Sequence, residues 1–287
     1  MWDVGATRRI ETTIRGAVWS SAAKPTGGSI SLVDVAKRIE ELERDGYQVL
    51  EAVTFGGSST QTHSRSCTFV CVDGKTYWVK GTAQQGLVAE LIGGRLAALA
   101  HAGPSSRVIR VTPEALPASP DCGHLVGVVF GSQDMANAEN ARDIGVITAG
   151  GRLDPSVIDA LARSKVIAFQ TWLGVHDAQV LVRPTDGQVF SFDHGDAFGD
   201  TSDRSDPQVT VTDIPGVDAT VGKRPGDVLI AVRGIQAITD EQLVRAVAGV
   251  PHGDPWRSPV ARRTEIVEYL MHRRTRLEEV MTKWAHS

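Results

Sequence analysis

Two aspartates flank a predicted β-hairpin in the second half of the chain. Asp177 precedes the apolar run at residues 180–182, and Asp193 follows the apolar run at residues 189–192. Because the two strands of a hairpin are antiparallel, the residue before the first strand and the residue after the second meet at the same end. Two carboxylates in this arrangement can take different roles, since one can orient or deprotonate a hydroxyl group while the other holds a divalent cation.

A segment rich in glycine and hydroxyl residues follows the first predicted strand and has the composition of a phosphate-binding loop. It contains Gly56, Gly57, Ser58 and Ser59. Glycines let backbone N–H groups approach a phosphate closely, and successive N–H groups in a loop form a concave anion site. Such segments are also common in ordinary turns, so this one indicates a phosphate site only together with other residues.

Lys80 and Glu90 supply those other residues. Lys80 ends the strand-like run "TYWVK", and Glu90 lies ten residues later on a predicted helix. In phosphoryl transfer from a nucleotide, a lysine held by a carboxylate reaches the phosphates, while two further acids serve the hydroxyl group and the metal. Each residue alone has an ordinary structural explanation, but their joint spacing favours a nucleotide site that includes Asp177 and Asp193.

The bulk composition indicates a folded globular protein. The chain has 287 residues, of which 41% are hydrophobic and 22% are charged, and its formal net charge is −4. This charge argues against nucleic-acid binding driven by overall charge, and the basic run at residues 272–276 is interpreted as a solvated helix face. No apolar run reaches the ~18 residues of a membrane span, and the N-terminus lacks the pattern of a secretory signal.

The three cysteines are an odd number, which argues against a disulfide framework. Cys67 and Cys71 lie four residues apart in the strand-like run "CTFVCV", so we expect them to face the same side of a strand as packing thiols. Cys122 is the third cysteine. Together with the missing signal pattern, this predicts a cytoplasmic protein.

Hydrophobic periodicity divides the chain into three predicted parts. Residues 1–45 form an N-terminal extension with one helix, which Ser31 caps and Gly46 ends. Residues 46–131 contain five strands and one inserted helix, which is the content of a small α/β lobe. Residues 132–287 are mainly helical.

The mainly helical part contains three predicted helices besides the hairpin. Asp154 is the predicted N-cap of the first helix, and Gly174 ends it. Residues 200–237 are rich in Asp, Pro and Gly and are expected to be irregular. Thr239 is expected to cap a short helix, and a long terminal helix is expected to start at Ser258 and the following proline.

Several motifs occur in the order and spacing of one known family. They are "FGGSSTQTH", "DGKTYWVKG", "AELIGGRLAALA", "VVFGS", "FQTWLG" with "QVLV", "VFSFDHGDAF" and the terminal "YLMHRRTRLEEVM", and they span about residues 50–283. On these motifs the chain resembles the HipA-like bacterial kinases, particularly their compact branch. More distantly it resembles phosphatidylinositol 3/4-kinases. No single motif is decisive; their order and spacing carry the resemblance.

The resemblance implies a two-lobed, protein-kinase-like α/β (α+β) fold that binds ATP and Mg²⁺ between its lobes. It implies transfer of the γ-phosphate to a hydroxyl group, with protein serine or threonine as the first substrate class to consider. A protein substrate or partner follows from this. The family also suggests autophosphorylation in the phosphate loop, at Ser58, Ser59 or Thr60, where a phosphate would clash with ATP.

The resemblance also implies a role for each matching residue. Lys80 would bind the phosphates with Glu90 as its ion-pair partner, and Asp193 would bind the metal. Asp177 would be the catalytic acid. The backbone of Gly131 and Ser132 would lie near the hinge that contacts adenine.

The loop that contains Asp177 departs from the family pattern. The family has an Asp, four residues and then an Asn before the strand, whereas this chain has Asp177, Ala178 and Gln179 directly before "VLV". Gln179 would replace the second metal ligand with a longer side chain. Ala178 lies where the family often has Arg or Lys.

This departure leaves several alternatives open. One is a pseudokinase that binds nucleotide without turnover, and another is a lipid or small-molecule kinase on the same scaffold. A third is a structural or interaction protein, whose stability would not respond to Mg-ATP. His194 is a candidate metal ligand, although a hydrogen-bonded structural histidine is the commoner case. Asp196 could assist the metal or cap a turn, and the turn is preferred. Met135, Asn137 and Asn140 are expected to border the cleft.

Overall fold

The computed structural model describes residues 32–58, 66–81, 86–116, 120–140, 158–175, 179–198, 211, 224–251, 253 and 255–287. Its strands are β1 (Val49–Ser58), β2 (Cys67–Cys71), β3 (Thr76–Lys80), β4 (Ser106–Val111), β5 (Gly127–Gln133), β6 (Glu139–Asn140), β7 (Gln179–Arg183) and β8 (Gln188–Phe192). Its α-helices are α1 (Leu32–Arg44), α2 (Leu87–Leu99), α3 (Ala160–Leu173), α4 (Pro225–Gln236), α5 (Asp240–Ala248) and α6 (Val260–His286). Two short 3₁₀ helices, Pro113–Ala115 and Pro120–Leu125, precede β5.

The first five strands form a closed barrel in the order β1-β2-β3-β5-β4. Neighbouring strands are antiparallel except β1 and β4, which are parallel, with Val49 opposite Val108. Inward side chains such as Phe69, Tyr77 and Val79 form the core of the barrel. The five strands were predicted from alternation and are confirmed. Closure was not predicted, because the β1–β4 pairing joins segments that are far apart in the sequence.

A second sheet of three strands, in the order β6-β7-β8, follows the barrel. The predicted hairpin of β7 and β8 is confirmed, with Val180 opposite Ser191 and Val182 opposite Val189. Strand β6 has only two residues, both polar, so no periodicity in the sequence indicated it.

The helices build a second and larger core, and α2 belongs to it. Leu91, Ile92 and Leu96 of α2 pack in the same apolar cluster as residues of α1, α3, α4, α5 and α6. The inserted helix of the predicted small lobe is therefore shared with the helical part. The predicted boundary after residue 131 falls inside β5, and the division into three parts stays a prediction.

Most predicted helices are confirmed, including α1, α2, α6 and the capped helix α5; the predicted N-cap of α1, Ser31, lies outside the described residues. In α5 the side chains of Thr239 and Gln242 form a reciprocal capping box. The start of α3 was predicted wrongly. Its N-cap is Asp159, whose side chain accepts a hydrogen bond from the N–H group of Ala162 at 2.6 Å; Asp154 lies outside the described residues.

Helix α4 corrects the prediction that residues 200–237 are irregular. It begins with Pro225 at its first turn and buries Val228, Ala231, Val232 and Ile235 against α3 and α6. This spacing is a helical period, which the surrounding Pro- and Gly-rich composition obscured. No helix in the described ranges is long and apolar enough to cross a membrane.

A disulfide corrects the prediction of Cys67 as a packing thiol. Cys67, at the start of β2, is bonded to Cys122 in the 3₁₀ helix before β5. The sequence could not show this, because the two cysteines are 55 residues apart and meet only in the barrel. Cys71 is buried and free, and burial raises the pKa of its thiol to about 12. Disulfides are uncommon in cytosolic proteins. The cytoplasmic location inferred from the sequence stays a prediction.

Replacing both Cys67 and Cys122 by serine is expected to lower the free energy of unfolding by about 4 kcal/mol, because the bond restricts the unfolded chain across 55 residues. Urea titration without reductant measures this change. Cys71→Ser is the matched control in the same strand. Because this variant keeps the Cys67–Cys122 bond, its free energy of unfolding should still fall when reductant is added. Wild-type protein that is equally stable with and without reductant would contradict the disulfide.

Candidate active site

One cation, the ammonium group of Lys80, lies between two carboxylates. Its Nζ is 2.5 Å from Glu90 Oε1 and 3.0 Å from Asp193 Oδ1. The side chains of Lys80, Glu90 and Asp193 are 17%, 7% and 33% exposed, respectively. The cluster is therefore buried at Glu90 and accessible at Asp193.

Three separate elements bring these residues together. Lys80 ends β3, where pairing with Phe130 of β5 fixes its backbone. Glu90 lies in the first turn of α2, and Asp193 directly follows β8. Asp193 has φ 57, a left-handed conformation that is uncommon for residues other than glycine. Such conformations persist where the surroundings hold them and are concentrated at functional sites.

Burial and the ion pairs act in opposite directions on the three groups. Burial would lower the pKa of Lys80, but the charges of Glu90 and Asp193 outweigh it, so the pKa is raised. Burial would raise the pKa of Asp193, but Lys80 outweighs it, so the pKa is lowered. Burial raises the pKa of Glu90 to about 7, against the opposing effect of Lys80. When all three groups are ionised, the cluster has two negative charges and one positive charge.

Gln179, the first residue of β7, contacts the second oxygen of Asp193. Its Nε2 donates to Asp193 Oδ2 at 2.9 Å, while Lys80 donates to the other oxygen. To ligate a metal, Gln179 would have to present its Oε1 instead. The pairing of β7 with β8 places Gln179 opposite Phe192, directly before Asp193. The metal ligand pair predicted from the sequence is thus adjacent in space.

The donor set of the cluster fits one divalent cation of the Mg²⁺ type. A carboxylate and an amide oxygen are ligands that Mg²⁺ accepts, and the surplus negative charge of the ionised cluster would be compensated by a cation. Across the described ranges, no group of three or more His, Cys, Asp or Glu side chains is placed to hold a metal ion. Water and phosphate oxygens are the ligands with which Mg²⁺ usually completes such a set.

His194 joins the segment after β8 to α2. Its backbone N–H donates to Glu90 Oε2 at 3.0 Å, so both oxygens of Glu90 accept hydrogen bonds. Its ring is buried, with Nε2 2.9 Å from Ser191 Oγ and an edge-to-face contact with Phe169. Burial lowers the pKa of the ring to about 4. The interpretation of His194 as a hydrogen-bonded structural histidine is confirmed.

Two residues of this network, Gln170 and Ser191, were not predicted from the sequence. Gln170 of α3 donates from Nε2 to the carbonyl oxygen of Gln179 and to Ser191 Oγ, both at 3.1 Å. A glutamine inside the apolar helical run "VIAFQTWL" was the available signal, because a buried polar side chain requires partners. Its partners lie on the hairpin, so only the tertiary structure identifies them.

The glycine-rich segment begins as a strand, which corrects the prediction that a loop starts at Gly56. Gly56, Gly57 and Ser58 belong to β1 and lie beside β2. The register shifts between Phe55 and Gly57, and Gly57 has φ 148, a combination typical of a β-bulge. At Gly56 a Cβ atom would lie 2.7 Å from Thr68 Oγ1. These glycines therefore allow a bulged strand to form.

The end of β1 nevertheless lies on the Lys80 side of the barrel. Ser58 is opposite Cys67 of β2, and Cys67 is opposite Val79 of β3, the residue before Lys80. Ser59 and Thr60 lie outside the described residues. The phosphate contacts of Gly56, Gly57, Ser58 and Ser59 stay predictions, as does phosphorylation at Ser58, Ser59 or Thr60.

Gly131 and Ser132, predicted to lie near the hinge, are found near the end of β5. Both lie in β5 between β3 and β4, so a paired strand lies on each side of them. Gly131 is tightly packed, because a Cβ atom there would lie 3.0 Å from Ile109 Cγ1. The chain leaves the barrel directly after β5, at residues 134–138. The place of Gly131 and Ser132 near an adenine-contacting hinge stays a prediction.

Asp177 lies outside the described residues, as does His176. Its neighbour Gln179 lies beside Asp193. Asp177 as the catalytic acid therefore stays a prediction.

The fold is similar to that of the crystal structure of a Helicobacter pylori proinflammatory kinase, CtkA. The TM-score is 0.53 at 11% identity, over 83% of this chain and 99% of that chain. The Golgi casein kinase has a TM-score of 0.39 at 12% identity over 90% and 78% of the two chains. The FAT and kinase domain of CtTel1 has a TM-score of 0.33 at 14% identity over 82% and 21%. No curated protein matches the chain.

The likeness to CtkA shows a kinase-like fold. A family model, that of the HipA-like kinase, matches residues 53–210, which is more than half of the chain. The matched range contains Lys80, Glu90, Gln179 and Asp193, and therefore the whole cluster. The match confirms the resemblance inferred from the ordered motifs. This chain therefore belongs to the HipA-like kinase family.

Proposed function

We propose that this protein transfers the γ-phosphoryl group of ATP to a hydroxyl group in a Mg²⁺-dependent reaction, with a serine or threonine of a protein as the acceptor. The observation that carries the proposal is the position of the Lys80 ammonium between Glu90 and Asp193. In phosphoryl transfer by kinases, catalysis consists mostly of positioning and electrostatic stabilisation. A fixed cation beside a partly exposed acid supports that kind of chemistry.

Each residue of the cluster has a distinct part in this proposal. Lys80, fixed by Glu90, would neutralise phosphate charge. Asp193, with Gln179 beside it, would hold the Mg²⁺ ion, which supplies charge stabilisation to the transferred group when bound. The barrel and the helical part would act as the two lobes around this site, with residues 134–138 as their connection.

Asp177 is proposed as the residue that orients or deprotonates the acceptor hydroxyl group. It lies two positions before Gln179, whose side chain touches Asp193. This closeness along the chain supports a position near the metal site. The family resemblance supports the protein acceptor.

Autophosphorylation at Ser58, Ser59 or Thr60 is proposed as a means of inhibition. Ser58 is exposed at the end of β1, on the Lys80 side of the barrel. A phosphate group on this segment would add negative charge near Lys80 and compete with the phosphates of ATP.

One observation favours a second candidate, a nucleotide-binding module without turnover. Both oxygens of Asp193 are occupied by protein donors, one from Lys80 and one from Gln179. If this amide contact persists when nucleotide binds, Asp193 has less freedom to ligate a metal. Binding would then occur without efficient transfer.

Replacing Asp193 by alanine is expected to reduce phosphate transfer roughly a hundredfold or more, because the metal-holding carboxylate is lost. The measurement is label transfer from γ-labelled ATP with Mg²⁺, with the protein alone and with added acceptor extract. Asp186→Ala is the matched control, since Asp186 lies in the turn of the same hairpin and pairs with Arg183. Equal loss in both variants would point to damage of the hairpin and contradict the role of Asp193.

Replacing Asp177 by asparagine separates the active kinase from the binding module. We expect the transfer rate to fall by roughly 10²- to 10⁴-fold, as for the loss of a general base, while Mg-ATP affinity measured by calorimetry stays within a factor of a few. Label identification by acid stability and mass spectrometry would show whether the acceptor is a protein hydroxyl, a lipid or a small molecule. Wild-type protein that binds Mg-ATP but transfers no label would favour the binding module.

A further inference from the structure

Arg95 connects α2 to the far end of helix α5. Its Nη1 donates to the carbonyl oxygen of Ala246 at 3.0 Å, and its Nη2 donates to that of Gly249 at 2.8 Å. Within the part of the chain that the structure describes, Arg95 forms no ion pair with a carboxylate. Burial, followed by the charge of Arg107, lowers the pKa of Arg95 to about 10, which leaves the guanidinium charged at neutral pH.

The C-terminus of α5 is a favourable place for this charge. The last carbonyl groups of a helix have no partners within the helix and form the negative end of its dipole. A second buried arginine, Arg263 of α6, donates to the carbonyl oxygen of Ala248 at 2.9 Å and pairs with Glu43 of α1. Four helices therefore meet at the C-terminus of α5, and Arg95 is the contribution of α2.

Arg95 and Glu90 hold α2 from different sides. They are five positions apart, which corresponds to about 140° around a helix. Glu90 therefore faces Lys80 and His194, while Arg95 faces α5. Between them Gly93 lies so close to the loop after β8 that a Cβ atom would be 2.5 Å from the Cβ of His194. A small rotation or shift of α2 would thus change the position of Glu90.

We propose that Arg95 is a positioning residue for the Lys80–Glu90 pair, and that it keeps this pair assembled before any ligand binds. The expected effect of Arg95 on the affinity for Mg-ATP rests on the proposed function. The hold on α2 itself does not depend on that function. Through Arg95 the helical part, rather than the ligand, fixes the carboxylate that orients Lys80.

The test compares Arg95→Met, which keeps an unbranched stem but removes the donors, with Arg95→Lys, which keeps a charge and part of the hydrogen bonding. Arg274→Met is the matched control, because Arg274 contacts the other end of α5 through the carbonyl oxygen of Ile238 and the carboxylate of Asp240. Two quantities are measured on the full chain, well below its melting temperature: amide hydrogen exchange in α2 and the Kd for Mg-ATP.

We expect Arg95→Met to raise both the exchange rate in α2 and the Kd roughly tenfold or more, as for the loss of charged hydrogen bonds. Arg95→Lys should lie between this variant and the wild type, which also keeps the test informative if Arg95→Met fails to fold. Arg274→Met should lower the melting temperature without either change. If Arg95→Met lowers only the melting temperature, or if Arg274→Met produces the same two changes, the proposal is overturned.

Failure of the proposed function can be distinguished from failure of the role proposed for Arg95. If the wild type binds no Mg-ATP, the proposed function fails, and the exchange rates alone decide the role of Arg95. Faster exchange confined to α2 in Arg95→Met would still support the hold on this helix. Unchanged exchange in α2 would overturn it.

Discussion

The buried charge of Lys80 is the constraint around which the site is arranged. An ammonium group removed from water is costly unless carboxylates compensate it, and here two carboxylates do so. They come from α2 and from the end of β8, while Lys80 itself ends β3. Pairing this one charge therefore holds the end of a barrel strand within hydrogen-bonding distance of a helix and of a hairpin. Displacing any one of these elements would break at least one of the two ion pairs of Lys80.

Helix α2 shows how this constraint extends into the rest of the molecule. Its apolar side chains belong to the large helical core, its Glu90 faces the barrel through Lys80, and its Arg95 reaches the C-terminus of α5. On the other side, the barrel fixes the strand that ends at Lys80, because β3 is paired with β2 and with β5. The Lys80 cluster is consequently supported by both the barrel core and the helical core. Such support agrees with phosphoryl transfer, which depends mostly on positioning.

The surroundings of Asp193 decide what the site can do. With all groups ionised, the cluster has a surplus negative charge that favours a divalent cation, yet Gln179 occupies one oxygen of Asp193. If the amide of Gln179 turned over, its Oε1 could contact a metal ion in place of the present hydrogen bond from Nε2. A carboxylate at this position would instead add a third negative charge to the cluster. Under the proposed function, this contact of Gln179 would therefore distinguish metal-dependent transfer from nucleotide binding without turnover.

The sequence by itself determined the residue types of the cluster, the five strands, the hairpin and most helices, because these depend on local periodicity, caps and turns. The spacing of Lys80, Glu90 and Asp193 within ordered motifs was sufficient to indicate a kinase family. Only the tertiary structure decided the closure of the barrel, the Cys67–Cys122 bond and the bulged strand at Gly56 and Gly57. It also showed Gly131 and Ser132 inside a central strand, and Arg95 at the end of α5. Each of these depends on contacts between segments distant in the chain, for which local periodicity contains no information.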